Sequence, residues 1–186
     1  MKFYYKISQG LRVGLIERLH GLRDPDKQIG VIDIWLTESD SSRVLEKKEL
    51  SSVFGRLIHR MADSRPMAFL FPNDVAEVAK CLSNINIGIK KKRGWTWIDD
   101  RSFQLEEITR ILEVGSFTTF YVKIGGESDQ PATLSNIVSA LDKTHMIIIV
   151  ALYDETIEIL SKHVSPDVVT NILNQIGDAE FIKSSD

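Results

Sequence analysis

Lys90, Lys91, Lys92 and Arg93 run without a break into Gly94, Trp95, Thr96 and Trp97, and Asp99 and Asp100 close the stretch. Cations interleaved with aromatics are what a single-stranded nucleic acid needs, charge along its backbone and flat faces for its bases. A second cationic set, Arg56, His59 and Arg60 with Arg65 behind it, falls on one side of a helical pattern. It could hold a phosphate, and a solvated helix face is the competing reading. A third candidate, Gly125 to Asp129, follows a strand-like run. Its glycines would let backbone N–H groups approach an anion, but Glu127 and Asp129 would repel one, and a tight turn explains the glycines equally well.

Other chemistry finds little footing. The phosphate-binding, dinucleotide, serine-hydrolase and zinc-protease signatures have no counterpart in the chain. His20, His59, His145, His163 and the single cysteine, Cys81, are not paired at metal-ligand spacing, so no metal and no cofactor is expected. Cys81 adjoins Leu82 on an apolar helical stripe, which reads as a buried or half-buried thiol and not a reactive one.

The elements that would position these groups follow from periodicity. Leu50, Val53, Phe54, Leu57, Ile58 and Met61 repeat at helical spacing and predict a helix over 47–63. Val75, Val78, Ala79 and Leu82 predict a helix over 74–84, with Asp74 and Glu77 in the pattern of a capping box. Ser102 is the expected cap of a helix bearing Leu105, Ile108, Ile111 and Leu112. Strands are expected at "FYYKIS", "IGVIDIWL" (29–36), "MAFLF" (67–71) and "TTFYVKI" (118–124). Residues 9–22 fit a helix or a strand.

Ile87 and Ile89, then Trp95 and Trp97, alternate around a loop containing Gly94. This predicts a hairpin near 87–98, with the isoleucines and tryptophans meeting on one packed face and the cations at its tip and edge. "MIIIVAL" (146–152) has no polar alternation and predicts a central strand buried on both faces. With the helical pattern Leu134, Ile137, Val138, Leu141 before it, it completes a βαβ unit, expected as a right-handed parallel crossover. Two helices are expected after it. The first carries Ile157, Leu160 and Val164. The second is started by Ser165 and Pro166 and stopped by a left-handed Gly177.

The fold class is therefore α/β or α+β, a single domain over 1–186 with a mixed sheet. At 186 residues such a domain buries roughly 70% of its unfolded surface, so neither disulfide nor metal is needed to hold it. One cysteine leaves no internal disulfide, which fits a reducing compartment. The N-terminal stretch has no apolar core of signal-peptide length, and 146–152 is far too short for a membrane span. No membrane partner is expected, and the cytoplasm is the expected location.

Net charge is −3, but residues 1–93 carry 17 Lys and Arg against 11 Asp and Glu, whereas 94–186 carry 6 against 15. That asymmetry points to a charged partner. The expected function is non-enzymatic: stoichiometric binding of a protein, in the manner of an inhibitor or a toxin-neutralising immunity protein. If the acidic half makes contact, through Asp99, Asp100, Glu106, Glu107, Glu113, Glu127 and Asp129, the partner is basic, a nuclease toxin for example. If the hairpin makes it, Lys90, Lys91, Lys92 and Arg93 meet an acidic partner. A small α/β enzyme with its site in unrecognised loops is the alternative, and nucleic-acid binding through 90–93 is a further one.

Overall fold

A computed structural model describes residues 2–9, 30–36, 47–72, 76–84, 87–92, 94–126, 137–177 and 179–185. Their elements are β1 (Lys2–Gln9), β2 (Gly30–Leu36), α1 (Lys47–Ala62), β3 (Met67–Pro72), α2 (Ala76–Asn84), β4 (Lys90–Lys92), β5 (Trp95–Arg101), α3 (Leu105–Val114), β6 (Thr119–Ile124), α4 (Ile137–Leu141), β7 (Met146–Ala151), β8 (Thr156–Ser161), α5 (Pro166–Asn174) and β9 (Glu180–Lys183). The expectations for residues 9–22, the box at Asp74, the turn at Glu127 and Asp129, and the hairpin residue Arg93 fall wholly or mostly outside the described residues.

All nine strands form one sheet in the order β4-β5-β3-β6-β7-β8-β2-β1-β9. Every neighbouring pair is antiparallel except β1 and β9. The α/β or α+β class and the mixed sheet stand. One face carries the larger core, where Phe3, Phe69, Phe71, Phe120 and Ile148 meet Phe54 and Leu57 of α1 and Ile111 of α3. The opposite face carries a smaller core of Leu70, Trp97, Tyr121, Ile147, Ile149 and Leu141 of α4.

β7 shows why its sequence lacks alternation. Met146, Ile148 and Val150 enter the larger core, while Ile147, Ile149 and Ala151 enter the smaller one. The strand is central, paired with β6 and β8, as its pattern predicts. It is not parallel, however: β6, α4 and β7 follow one another in sequence, but β6 and β7 pair antiparallel, so the expected parallel crossover is wrong. Burial on two faces reports a cover on each side and leaves strand direction open.

The first of the two C-terminal helices is also wrong. Residues 156–161 are strand β8, with Ile157 and Ile159 in one core and Leu160 in the other. The alternation of Thr-Ile-Glu-Ile outweighs the thin helical stripe that Ile157, Leu160 and Val164 suggested. The second helix, α5, forms with Ser165 at its N-cap and Pro166 in its first turn, although the Ser165 hydroxyl makes no capping bond. Gly177 does not adopt positive φ, so it is not the left-handed stop expected of it.

The hairpin forms with a shift of register. Lys92 pairs with Trp95 and Lys90 with Trp97, and Gly94 between the strands adopts φ +83°. Ile87 and Ile89 precede the strand and join the larger core, whereas both tryptophans pack with the smaller one. The expected isoleucine–tryptophan contacts are therefore replaced by lysines standing opposite the tryptophans. β4 is an edge strand, and the exposed Lys90 and Lys91 on it oppose pairing with another chain.

Candidate functional site

Arg56, His59 and Arg60 stand at i, i+3 and i+4 on α1, away from its buried stripe. Residues so spaced share a helix face. They open onto a cleft of about 420 Å³ completed by Asp63 and Ser64 beyond the end of α1, Leu105 at the start of α3, and Gln175, Ile176 and Gly177 beyond α5. That volume is within the range of about 300–1,000 Å³ typical of ligand sites.

The walls of the cleft are set by backbone packing. Gly55 lets α1 approach α3, because a Cβ there would lie 2.8 Å from Thr109 Oγ1. The Thr109 hydroxyl is itself fixed by donation to Leu105 O at 3.0 Å. Leu105, expected on the apolar face, is instead 37% exposed at the rim. Arg56 Nη1 donates to Ser52 Oγ at 3.1 Å, which holds the guanidinium along the helix.

At the end of α1, Asp63 (φ +46°) and Ser64 (φ +65°) are both left-handed, although neither is glycine. Such residues cost about 1–3 kcal/mol each and gather at functional sites. Arg65 closes the turn: its N–H donates to Ala62 O at 2.8 Å, and its Nη1 approaches Asp63 Oδ2 at 3.3 Å. On the far side of Arg65 lies His145. Its imidazole is held below the usual histidine value by burial, then by the charges of Arg65 and His163, against the pull of Asp63.

In this arrangement two guanidiniums and an imidazole can grip an oxyanion, with Leu105 and Ile176 offering an apolar wall. Ser64, His59 and Asp63 are the residue types of a hydrolytic triad, but no hydrogen bond joins any two of them, and Asp63 is engaged by Arg65.

The charged residues singled out in the sequence fare differently. Glu107 takes a two-pronged contact from Arg101, at 2.7 and 3.2 Å, and accepts from Gln104 N at 3.0 Å. Arg101 first, then the Gln104 N–H, hold its carboxyl below the usual carboxylate value. Gln104, not Ser102, therefore occupies the cap of α3. Glu106 is bridged to Arg110 one turn on. Asp99 and Asp100 oppose the single residue Ala68 in a β-bulge between Met67 and Phe69, and Glu113 is half-buried. Two of the acids are thus already committed within α3 and its cap. Lys90, Lys91 and Lys92 lie on β4 at the sheet's edge, Lys92 in register with Trp95, and Arg93, Glu127 and Asp129 fall outside the described residues.

Trp97 is 5% exposed, with Lys123 Nζ 5.6 Å from its ring centre, and Trp95 meets Tyr121 edge-on at 5.5 Å. The smaller core also buries Lys123 and Glu158. Burial, then the charge of Glu158, pushes the Tyr121 hydroxyl up to about 12, so it stays protonated at neutral pH. A lysine in "YVKI" and a glutamate in "IEIL" were the sequence signals for this pair, and neither was singled out. Asp63, Ser64 and Gln175 have no such signal, since they reach the cleft from the ends of two different helices and share no local pattern. Among the described residues no three His, Cys, Asp or Glu side chains converge as a metal site would require.

No protein-family model, no curated protein and no solved structure matches this chain.

Proposed function

We propose that this protein acts by stoichiometric binding to a partner protein, in the manner of an inhibitor, and that the cleft between α1, α3 and α5 is its contact surface. One observation carries the reading: Arg56 and Arg60 stand one turn apart beside the half-exposed Leu105 in a single concave site. Arginine is enriched at the energetic centres of protein interfaces, and an aliphatic neighbour supplies the desolvated contact such centres need. The ion pairs at Glu106 and Glu107 weigh against the acidic helix as the main contact, because a partner cation would compete with Arg110 and Arg101. A reducing, cytoplasmic setting fits the single cysteine.

The test begins with the tagged protein as bait in lysate of its source cells, followed by mass spectrometry and a measurement of complex stoichiometry. Charge reversal is then made separately at Arg56 and Arg60, at Lys90 and Lys91, and at Glu106 and Glu113. The first pair is expected to abolish a one-to-one complex and the other two to leave it. Turnover of a substrate at the usual enzymatic rate of about 1 s⁻¹ or above would overturn the reading.

A further inference from the structure

We infer that the cleft takes an extended acidic peptide segment carrying an aliphatic side chain beside its carboxylate, and that it does not take a phosphate. This rests on the binding reading above and adds the chemistry of the ligand.

Three features of the cleft select the ligand. The guanidiniums of Arg56 and Arg60 spring from positions about 6 Å apart along the α1 axis, and His59 lies on the same face. Planar guanidinium forks match a carboxylate edge-on, and the bond from Arg56 to Ser52 orients one fork before any ligand arrives.

The second feature is the direction of the helices. Asp63 and Ser64 follow the C-terminal end of α1, and Gln175 to Gly177 follow that of α5, so both helices bring their partly negative ends to the cleft. Phosphate sites exploit the opposite, N-terminal ends; α3 does bring such an end, Leu105, to the rim, but Glu106 and Glu107 in its first turn already answer its positive charge. Against these ends a dianion meets repulsion that a singly charged carboxylate meets at half strength. The same carbonyl ends and the Gln175 amide can accept from the N–H groups of a peptide.

The third feature is apolar. Leu105 is 37% exposed at the rim, and Ile176, 4% exposed, forms part of the wall. A free inorganic anion leaves the exposed part of Leu105 wet, whereas an aliphatic side chain next to the acid covers it.

The test uses the full chain and fluorescence anisotropy. The probe is a dye-labelled octapeptide of alternating Glu and Leu; one control replaces Glu by Lys and another replaces Leu by Ser. Inorganic phosphate is the competitor. The Glu–Leu peptide is expected to bind with Kd below roughly 1 mM, and both controls at least about tenfold more weakly. Arg60→Gln, at an exposed position, and Leu105→Ser should each weaken the Glu–Leu peptide by about tenfold, with thermal unfolding of the variants matching wild type. Phosphate should not displace the probe.

Equal binding of the Lys control, displacement by phosphate, or no binding of the Glu–Leu peptide at about 1 mM would overturn the inference. The two readings fail separately. A captured partner whose complex survives Arg60→Gln and Leu105→Ser leaves the binding function standing and removes the cleft chemistry. Peptide binding without any one-to-one protein complex does the reverse.

Discussion

Gly55→Ala tests whether α1 and α3 touch as closely as the cleft requires. In an exposed helix interior the change gains about 1 kcal/mol from propensity alone. Here the new Cβ would stand 2.8 Å from Thr109 Oγ1, with Thr109 Cα at 3.6 Å and Leu105 Cδ1 at 3.7 Å in ordinary contact. The hydroxyl can escape only by giving up its bond to Leu105 O. Overpacking of this kind costs about 1–3 kcal/mol, so the net change is a loss of about 0–2 kcal/mol. In a Thr109→Ala background the obstructing oxygen is gone, and the same substitution should stabilise by up to about 1 kcal/mol. Urea unfolding of the four proteins, with unchanged slope, gives the coupling energy, expected at about 1–3 kcal/mol. If Gly55→Ala stabilises both backgrounds equally, the helices have slack and the close approach that sets Leu105 at the rim is refuted.

Four further outcomes follow from the structure. Ile148→Ala, in a fully buried central strand, should cost about 2–5 kcal/mol in denaturant unfolding, and a loss under about 1 kcal/mol would contradict its position. Glu107→Gln removes a carboxylate whose folded value lies below its unfolded one; the stability it adds is present above the ordinary carboxylate value and lost as pH falls through the folded value. The variant should therefore show a shallower acid limb in unfolding against pH, and an unchanged limb would refute the Arg101 contact. His145 is opposite in charge type: its folded value lies below 6.5, so the unfolded chain binds the proton more readily and stability falls as pH drops through 6.5 toward the folded value. His145→Gln should flatten thermal stability across that window, and parallel curves would refute the burial argument. Ser64→Gly relieves a left-handed backbone worth about 1–2 kcal/mol, less the added freedom of the unfolded glycine, and should raise thermal stability.

Much of the fold was legible where one physical signal acted alone. The stripe of α1 and the two-sided burial of β7 follow from apolar spacing that nothing nearby contradicts. Errors came where two signals competed or where the decisive contact was distant. Ile157, Leu160 and Val164 fit a helix, but they also sit in a Thr-Ile-Glu-Ile alternation, and pairing with both β7 and β2 settles the matter in favour of a strand. Ile89 and Trp97 each alternate correctly, yet nothing local fixes the register that sends them to opposite faces. The charge asymmetry between halves loses its spatial meaning once strands from residues 1–93 take the first, third, seventh and eighth places in the sheet and strands from 94–186 take the rest. Of the cleft, Arg56, His59 and Arg60 are legible as a cationic set on one turn, whereas Leu105, Ile176 and Gly177 carry only structural signals, an apolar stripe and a helix stop.

The end of α1 separates stability from use. A glycine after the helix would enter the left-handed region without strain, and this chain places glycine at positive φ elsewhere, at Gly94, Gly125 and Gly126. Yet Asp63 and Ser64 carry the left-handed turn instead. The ion pair to Arg65 is half-exposed and offsets little of the cost. The Ser64 hydroxyl is exposed and, among the described residues, in no hydrogen bond, so it does not offset the rest. What the two residues share is the cleft, whose lip they form next to His59 and Arg60. The proposed contact surface therefore has a strained lip, with Glu155, outside the cleft, the other non-glycine at positive φ among the described residues.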